Sequence, residues 1–116
     1  MKRLSEFKGR EGIIVASKLT GIIMTILANK ENHRLKDEKN PLMLFTAFIE
    51  NNPDEMMEIF AILSEKDPKD YNPDGAEAMA NLLTLAADPL IVGLFISQGQ
   101  KGDATSSASP SENTEA

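Results

Sequence analysis

The segment Asp70-Tyr71-Asn72-Pro73-Asp74-Gly75 is where residue types and spacing come nearest to a known chemistry. Oxygen-bearing side chains at alternate positions, with glycine at the sixth, match the first half of a calcium-binding loop. The twelfth position must supply a bidentate glutamate, yet it is Asn81, and Pro73 stiffens the loop. An N-capped connection into a helix beginning near Asp74 is the better reading of the same residues. His33, the single histidine, stands among Lys, Arg and Glu without a second histidine or a nucleophile. It reads as a solvated surface side chain rather than a general base or ligand. Gly9 and Gly12 lack the downstream Gly-Lys-Ser/Thr of a phosphate loop. The absence of cysteine removes disulfides and thiolate-bound zinc. No carboxylate pair is singled out by spacing or by an apolar pocket. The expectation is a protein that is not an enzyme, with no catalytic, cofactor-binding or metal-ligating residue.

Charge narrows the partners. Residues 1–40 carry nine Lys/Arg against five Asp/Glu, a net of +4, whereas residues 41–116 carry three against thirteen, a net of −10. An acidic body repels phosphate backbones, so nucleic acid is disfavoured as the main ligand. Lys2, Arg3, Lys8 and Arg10 form a basic start with only Phe7 as an aromatic neighbour, which favours a solvated or protein-facing patch. The same polarity permits homo-oligomers in which opposite ends meet.

The elements that would position any site are helical. Five of the six prolines follow Asn or Asp, at Asn40-Pro41, Asn52-Pro53, Asp67-Pro68, Asn72-Pro73 and Asp88-Pro89. Such pairs suit a helix start, because the side-chain oxygen caps free amides and proline needs no amide partner at the first position. Asp67-Pro68 alone reads as a turn, because a second such pair follows closely. In residues 10–29, Val15, Leu19, Ile22, Ile23 and Ile26 make one stripe, while Ile13, Ile14 and Met24 fall on other sides. In residues 53–65, Met56, Ile59, Phe60 and Leu63 oppose Asp54, Glu58 and Glu65. In residues 74–87, Ala76, Met79, Leu82, Leu83 and Ala86 read as the core stripe against Glu77, Asn81 and Thr84. The segments 41–50 and 89–97 are apolar around their whole circumference, so each is deeply buried or keeps a face for another chain. The methionines beyond Met1 sit at apolar helical positions and read as core.

These patterns predict an all-α fold: a compact bundle of about five helices with a long first helix. Residues 1–98 form the helical domain, and residues 99–116, rich in Gly, Ser, Thr, Ala and Glu, form a flexible low-complexity tail. No cleavable leader is expected, and the longest uninterrupted apolar run, Leu90–Ile96, is far below the roughly 20 residues of a membrane span. A soluble protein without membrane partners is the expectation.

The order of features also resembles a known family. Lys2-Arg3-Leu4-Ser5-Glu6-Phe7-Lys8-Gly9 opens onto a long apolar helix, and several short acidic helices follow. Pro89-Leu90-Ile91-Val92-Gly93-Leu94-Phe95-Ile96-Ser97-Gln98-Gly99-Gln100 then leads to the ending Ser111-Glu112-Asn113-Thr114-Glu115-Ala116. The whole is similar to the tail assembly chaperones of siphophages and prophages of Gram-positive bacteria. The resemblance implies a small α-helical, cofactor-free protein of the host bacterial cytoplasm. Its partners would be the aggregation-prone tape measure protein and the major tail tube protein, and it would be absent from the mature virion. A longer product made by programmed frameshifting is a further implication.

A chaperone for amphipathic helices should offer apolar faces on a charged body. Phe45, Phe48, Leu94, Phe95 and Ile96 are the candidate partner-binding residues, although for any one of them the core of a domain with so few aromatics is the better reading. The alternative function is a small helical regulatory or nucleic-acid-associated adaptor using the basic N-terminal third.

Overall fold

A computed structural model describes the backbone of residues 1–104 and the side chains of residues 1–97. Five α-helices run as α1 (Gly9–Ala28), α2 (Pro41–Asn51), α3 (Pro53–Leu63), α4 (Gly75–Ala86) and α5 (Pro89–Ala104). Short 3-10 turns occupy Leu4–Glu6 and Lys30–Leu35, and the described residues hold no strand. The all-α reading with a long first helix is what forms. α5 is helical through Ala104, and most of the expected flexible tail lies outside the described residues.

The Asn/Asp-Pro pairs act in four ways. At α2, Asn40 Oδ1 accepts the amides of Leu42 at 3.0 Å and Met43 at 3.3 Å, as a cap before Pro41 should. At α5, Asp88 Oδ1 accepts the Leu90 amide at 3.1 Å. Asp67 builds a turn, its Oδ1 taking the Lys69 amide at 2.9 Å. Asn72-Pro73 does not cap the helix expected to begin near Asp74. Asp74 does, because its Oδ1 reaches the Glu77 amide at 2.8 Å in the third helical position, and Pro73 is left in the preceding loop.

Asn52-Pro53 departs furthest from the pattern. α3 begins at Pro53, yet the Asn52 side chain makes no capping bond. It turns inward, and its Oδ1 accepts the amide groups of Asn29 and Asn32, each at 2.9 Å. Asn32 Nδ2 also donates to the Ile26 carbonyl at 2.7 Å, and Asn51 Nδ2 donates to Asn32 Oδ1 at 2.8 Å. Four asparagines thus fasten the end of α1 and the turn after it to the junction of α2 and α3. Asn32 and Asn52 are buried, so these bonds replace water that neither can reach.

α1 packs along α3 and also touches α5, while α2 packs on α3 and α4. At the centre Phe95 of α5 lies edge-on to Phe45 at 5.2 Å between ring centroids and stacked on Phe48 at 5.0 Å. The N-terminal segment closes the other side. The Lys2 amide donates to the Leu63 carbonyl at 2.8 Å, the Leu4 amide to Asp88 Oδ2 at 2.9 Å, and Phe7 is buried. Gly12 lets that segment pass, since a Cβ there would lie 2.7 Å from the Phe7 carbonyl oxygen.

Removing the hub of the asparagine cluster takes one acceptor from each of two amide groups, leaving one N–H of each without its partner. Asn52→Ala should lower stability by about 2–3 kcal/mol, because buried partners left unsatisfied cost more than the bond itself is worth. In urea unfolding this appears as a lower midpoint with an unchanged slope; an unchanged midpoint would show that the cluster is not structural.

Candidate interaction surface

The candidate partner-binding residues divide. Phe45, Phe48 and Phe95 are at most 2% exposed and are packed against one another, so they present no surface to a partner. The core reading holds for these three rings, because they are the bulkiest apolar groups at the point where α2 and α5 meet. Leu94 and Ile96 are half-buried on the flanks of α5.

The apolar surface lies elsewhere. Of the methionines beyond Met1, only Met56 is in the core. Met24 on α1, Met43 on α2, Met57 on α3 and Met79 on α4 are each between 42% and 59% exposed, which reverses the expectation that methionines fill the interior. The reason is register. Each of these helices already presents larger or branched residues to the core, and the methionines stand off that line.

α4 carries the largest such departure. The stripe expected to be its core includes Met79 and Leu83, yet these are 56% and 51% exposed, while Asn81 and Leu85 are buried. Asn81 Nδ2 donates to the hydroxyl of Tyr71, itself buried in the loop before the helix. That bond turns the polar residue inward and rotates Met79 and Leu83 out. Hydropathy periodicity alone gave no sign of it, because a lone asparagine on a helix reads as solvent-facing.

α1 has apolar residues on every side. Val15, Leu19, Ile23 and Ile26 face the core, and on the far side Ile13 is 74% exposed. Two threonines contribute less polarity than their type suggests. The Thr20 hydroxyl donates to the Ala16 carbonyl at 2.8 Å and the Thr25 hydroxyl to the Gly21 carbonyl at 3.1 Å, leaving their methyl groups as outward surface. By length and composition α1 could cross a membrane, with a mean hydropathy of 1.6 over 18 residues, of which 22% are buried in the fold. A search for uninterrupted apolar runs passes over this helix, because Ser17, Lys18 and Thr20 break the run.

The polar candidates are used locally. Asp74 caps α4, Asn81 holds Tyr71, and no group of three or more possible metal ligands occurs among the described residues. His33 is exposed. The Lys2 ammonium lies 2.6 Å from Glu65 and 5.1 Å from the Phe7 ring centroid, which takes it out of the basic patch. A shallow groove between α1 and α3 is lined by Lys18, Gly21, Ile22, Glu58, Ile62 and Pro68. Compared with known protein families, with curated proteins and with solved structures, the chain matches none of them.

Two predictions follow from the rotation of α4. Leu85→Ala should cost about 2–5 kcal/mol as a buried truncation, whereas Leu83→Ala should stay within about 0.5 kcal/mol; equal losses in paired denaturant curves would place both residues in the core. Burial holds the Tyr71 hydroxyl above its usual pKa, with hydrogen bonds to Ser64 and Asn81 opposing the shift and the Glu77 carboxylate adding to it. As pH rises through the ordinary value of 10.0, the unfolded chain loses that proton first, so stability falls from there upward. Because Tyr71 is the sole tyrosine and tryptophan is absent, absorbance near 295 nm isolates it; phenolate formation should be delayed in the folded chain and normal in urea.

Proposed function

We propose that this chain is a non-catalytic tail assembly chaperone of a siphophage or prophage. It acts in the host bacterial cytoplasm, binds the tape measure protein, helps bring tail tube subunits to it, and leaves before the virion is complete. The observation that carries this reading is the set of outward methionines Met43, Met57 and Met79, one on each of α2, α3 and α4. A tape measure protein offers many amphipathic stripes of differing sequence. A surface that serves all of them needs side chains that re-pack, and unbranched, polarisable methionine does this better than branched or aromatic residues.

The family resemblance of the N-terminal and α5 segments supports the same reading. So does the distribution of charge, since the acidic residues from Glu50 onward keep a chaperone with bare apolar faces soluble. A longer frameshifted product would carry the same helical surface with a second domain attached.

Co-expression with the neighbouring tape measure protein tests the proposal. The unaltered chain should keep that protein soluble and co-purify with it. Replacing Met43, Met57 and Met79 by Gln should leave the helical circular dichroism and urea midpoint nearly unchanged while most of the client returns to the insoluble fraction. A client equally insoluble with and without the unaltered chain would overturn the reading.

A further inference from the structure

The outermost line of α1, opposite its buried Val15, Leu19, Ile23 and Ile26, runs through Arg10, Ile13, Ser17, Thr20, Met24 and Ala28. Every one of these residues is exposed, and beyond Arg10 the line holds no charge. The farthest face of the longest helix is where a monomer should concentrate its charges. We infer that this line is a self-association surface, on which α1 of a second copy of the chain packs antiparallel across a twofold axis.

The order of side-chain sizes favours that occupant. Ile13, Ser17, Thr20 and Met24 read large, small, small, large at spacings of four, three and four, which is the spacing of a helix-pairing seam. Reversed about a point between Ser17 and Thr20, the pattern maps onto itself: Ile13 meets Met24 of the other copy and Ser17 meets Thr20. A twofold contact requires such self-complementarity. The small central residues allow close helix approach, and the Thr20 hydroxyl, already bonded to the Ala16 carbonyl, brings no unsatisfied donor into the contact.

Charge sets the direction. Antiparallel pairing separates the two Lys8 and Arg10 pairs and brings each to the other helix's C-terminal turn near Ala28, the negative end of its dipole, where exposed Glu31 offsets exposed Lys30. Parallel pairing would instead set Lys8 and Arg10 against their own copies. A lipid surface fits less well, because a helix lying in a bilayer interface presents bulky Trp, Phe or Leu where this line is smallest, and the chain has no tryptophan. This inference does not depend on the proposed function, whose test alters none of these residues.

Light scattering and sedimentation of the full chain should give twice the 12.7 kDa chain mass at high concentration, dissociating on dilution. Ser17→Lys with Thr20→Lys should abolish the dimer, whereas Ser17→Glu with Thr20→Lys should restore it, since the two positions face each other between copies. Lys18→Glu, off the line, should leave it unchanged. The chain has no native cysteine, so Ile13→Cys with Met24→Cys gives a register test under a mild oxidant such as copper phenanthroline. Within one helix those positions lie about 16 Å apart, beyond disulfide reach of about 7 Å. The paired variant should therefore cross-link only between copies, and neither single variant should. Cross-linking of the single variants would show parallel packing and overturn the proposal. So would a monomeric mass at all concentrations, with or without binding to anionic lipid vesicles, or a dimer that survives the double lysine change.

Discussion

The Asn52 carboxamide determines how the two halves of the bundle meet. One oxygen accepts from both Asn29 and Asn32, at the point where α1 ends and where α2 turns into α3. Because the oxygen is buried and has two lone pairs to satisfy, neither donor can leave without a cost. The arrangement fixes the direction in which the chain leaves α1 and the angle at which α3 starts. Every helix that touches α1 or α3 inherits that geometry. α2 runs into that junction and carries Phe45 and Phe48 onto Phe95.

A second constraint is the small size of the interior. A domain of this length leaves about a third of its unfolded surface exposed, and five helices cannot each turn all their apolar residues inward. The fold resolves the conflict by burying one line of each helix and leaving four methionines, with Ile13, Ile14, Leu42, Leu83 and Leu90, outside. α4 shows the choice most clearly. It buries Asn81, whose amide has a partner in Tyr71, in preference to Met79, which needs none. A satisfied polar group inside and a flexible apolar group outside is a stable outcome whenever the hydrogen bond fixes the rotation of the helix.

Much of this was legible in the sequence. The stripes of α1 and α3 match their buried faces, apart from half-buried Ile22 and the additional buried Ala61, because on each helix the apolar residues recur at helical spacing along one line. The starts of α2 and α5 followed from local capping chemistry, which depends on neighbours within three residues. What could not be read were the long-range polar bonds. Nothing near Asn52 in sequence marks its partners, 20 and 23 positions earlier. Nothing near Asn81 says that Tyr71, ten residues away, will claim it. The candidate surface failed for the same reason: apolar residue type was informative, but which side of a short, wholly apolar helix faces inward is settled by other helices. Phe45, Phe48 and Phe95 went to the interior and Met79 to the surface.

Each buried polar residue, Asn32, Asn52, Asn81 and Asp88, has a partner within the chain. Their polar atoms are used inside the fold, and the helices expose apolar area beside their charges. On that basis the surface separates into two kinds. Ile13 and Thr20 on α1 are β-branched and stiff at χ1, so their line offers one defined relief and suits one partner of matching relief. The methionines of α2, α3 and α4 are unbranched and can follow many reliefs. The proposed self-association would use the first kind of surface and the proposed client binding the second, and the two must lie apart. Here they lie on different helices. α1, which carries the stiff line, is also the helix whose end is clamped by the asparagines, so the line proposed for self-association rests on an element held in place at one end.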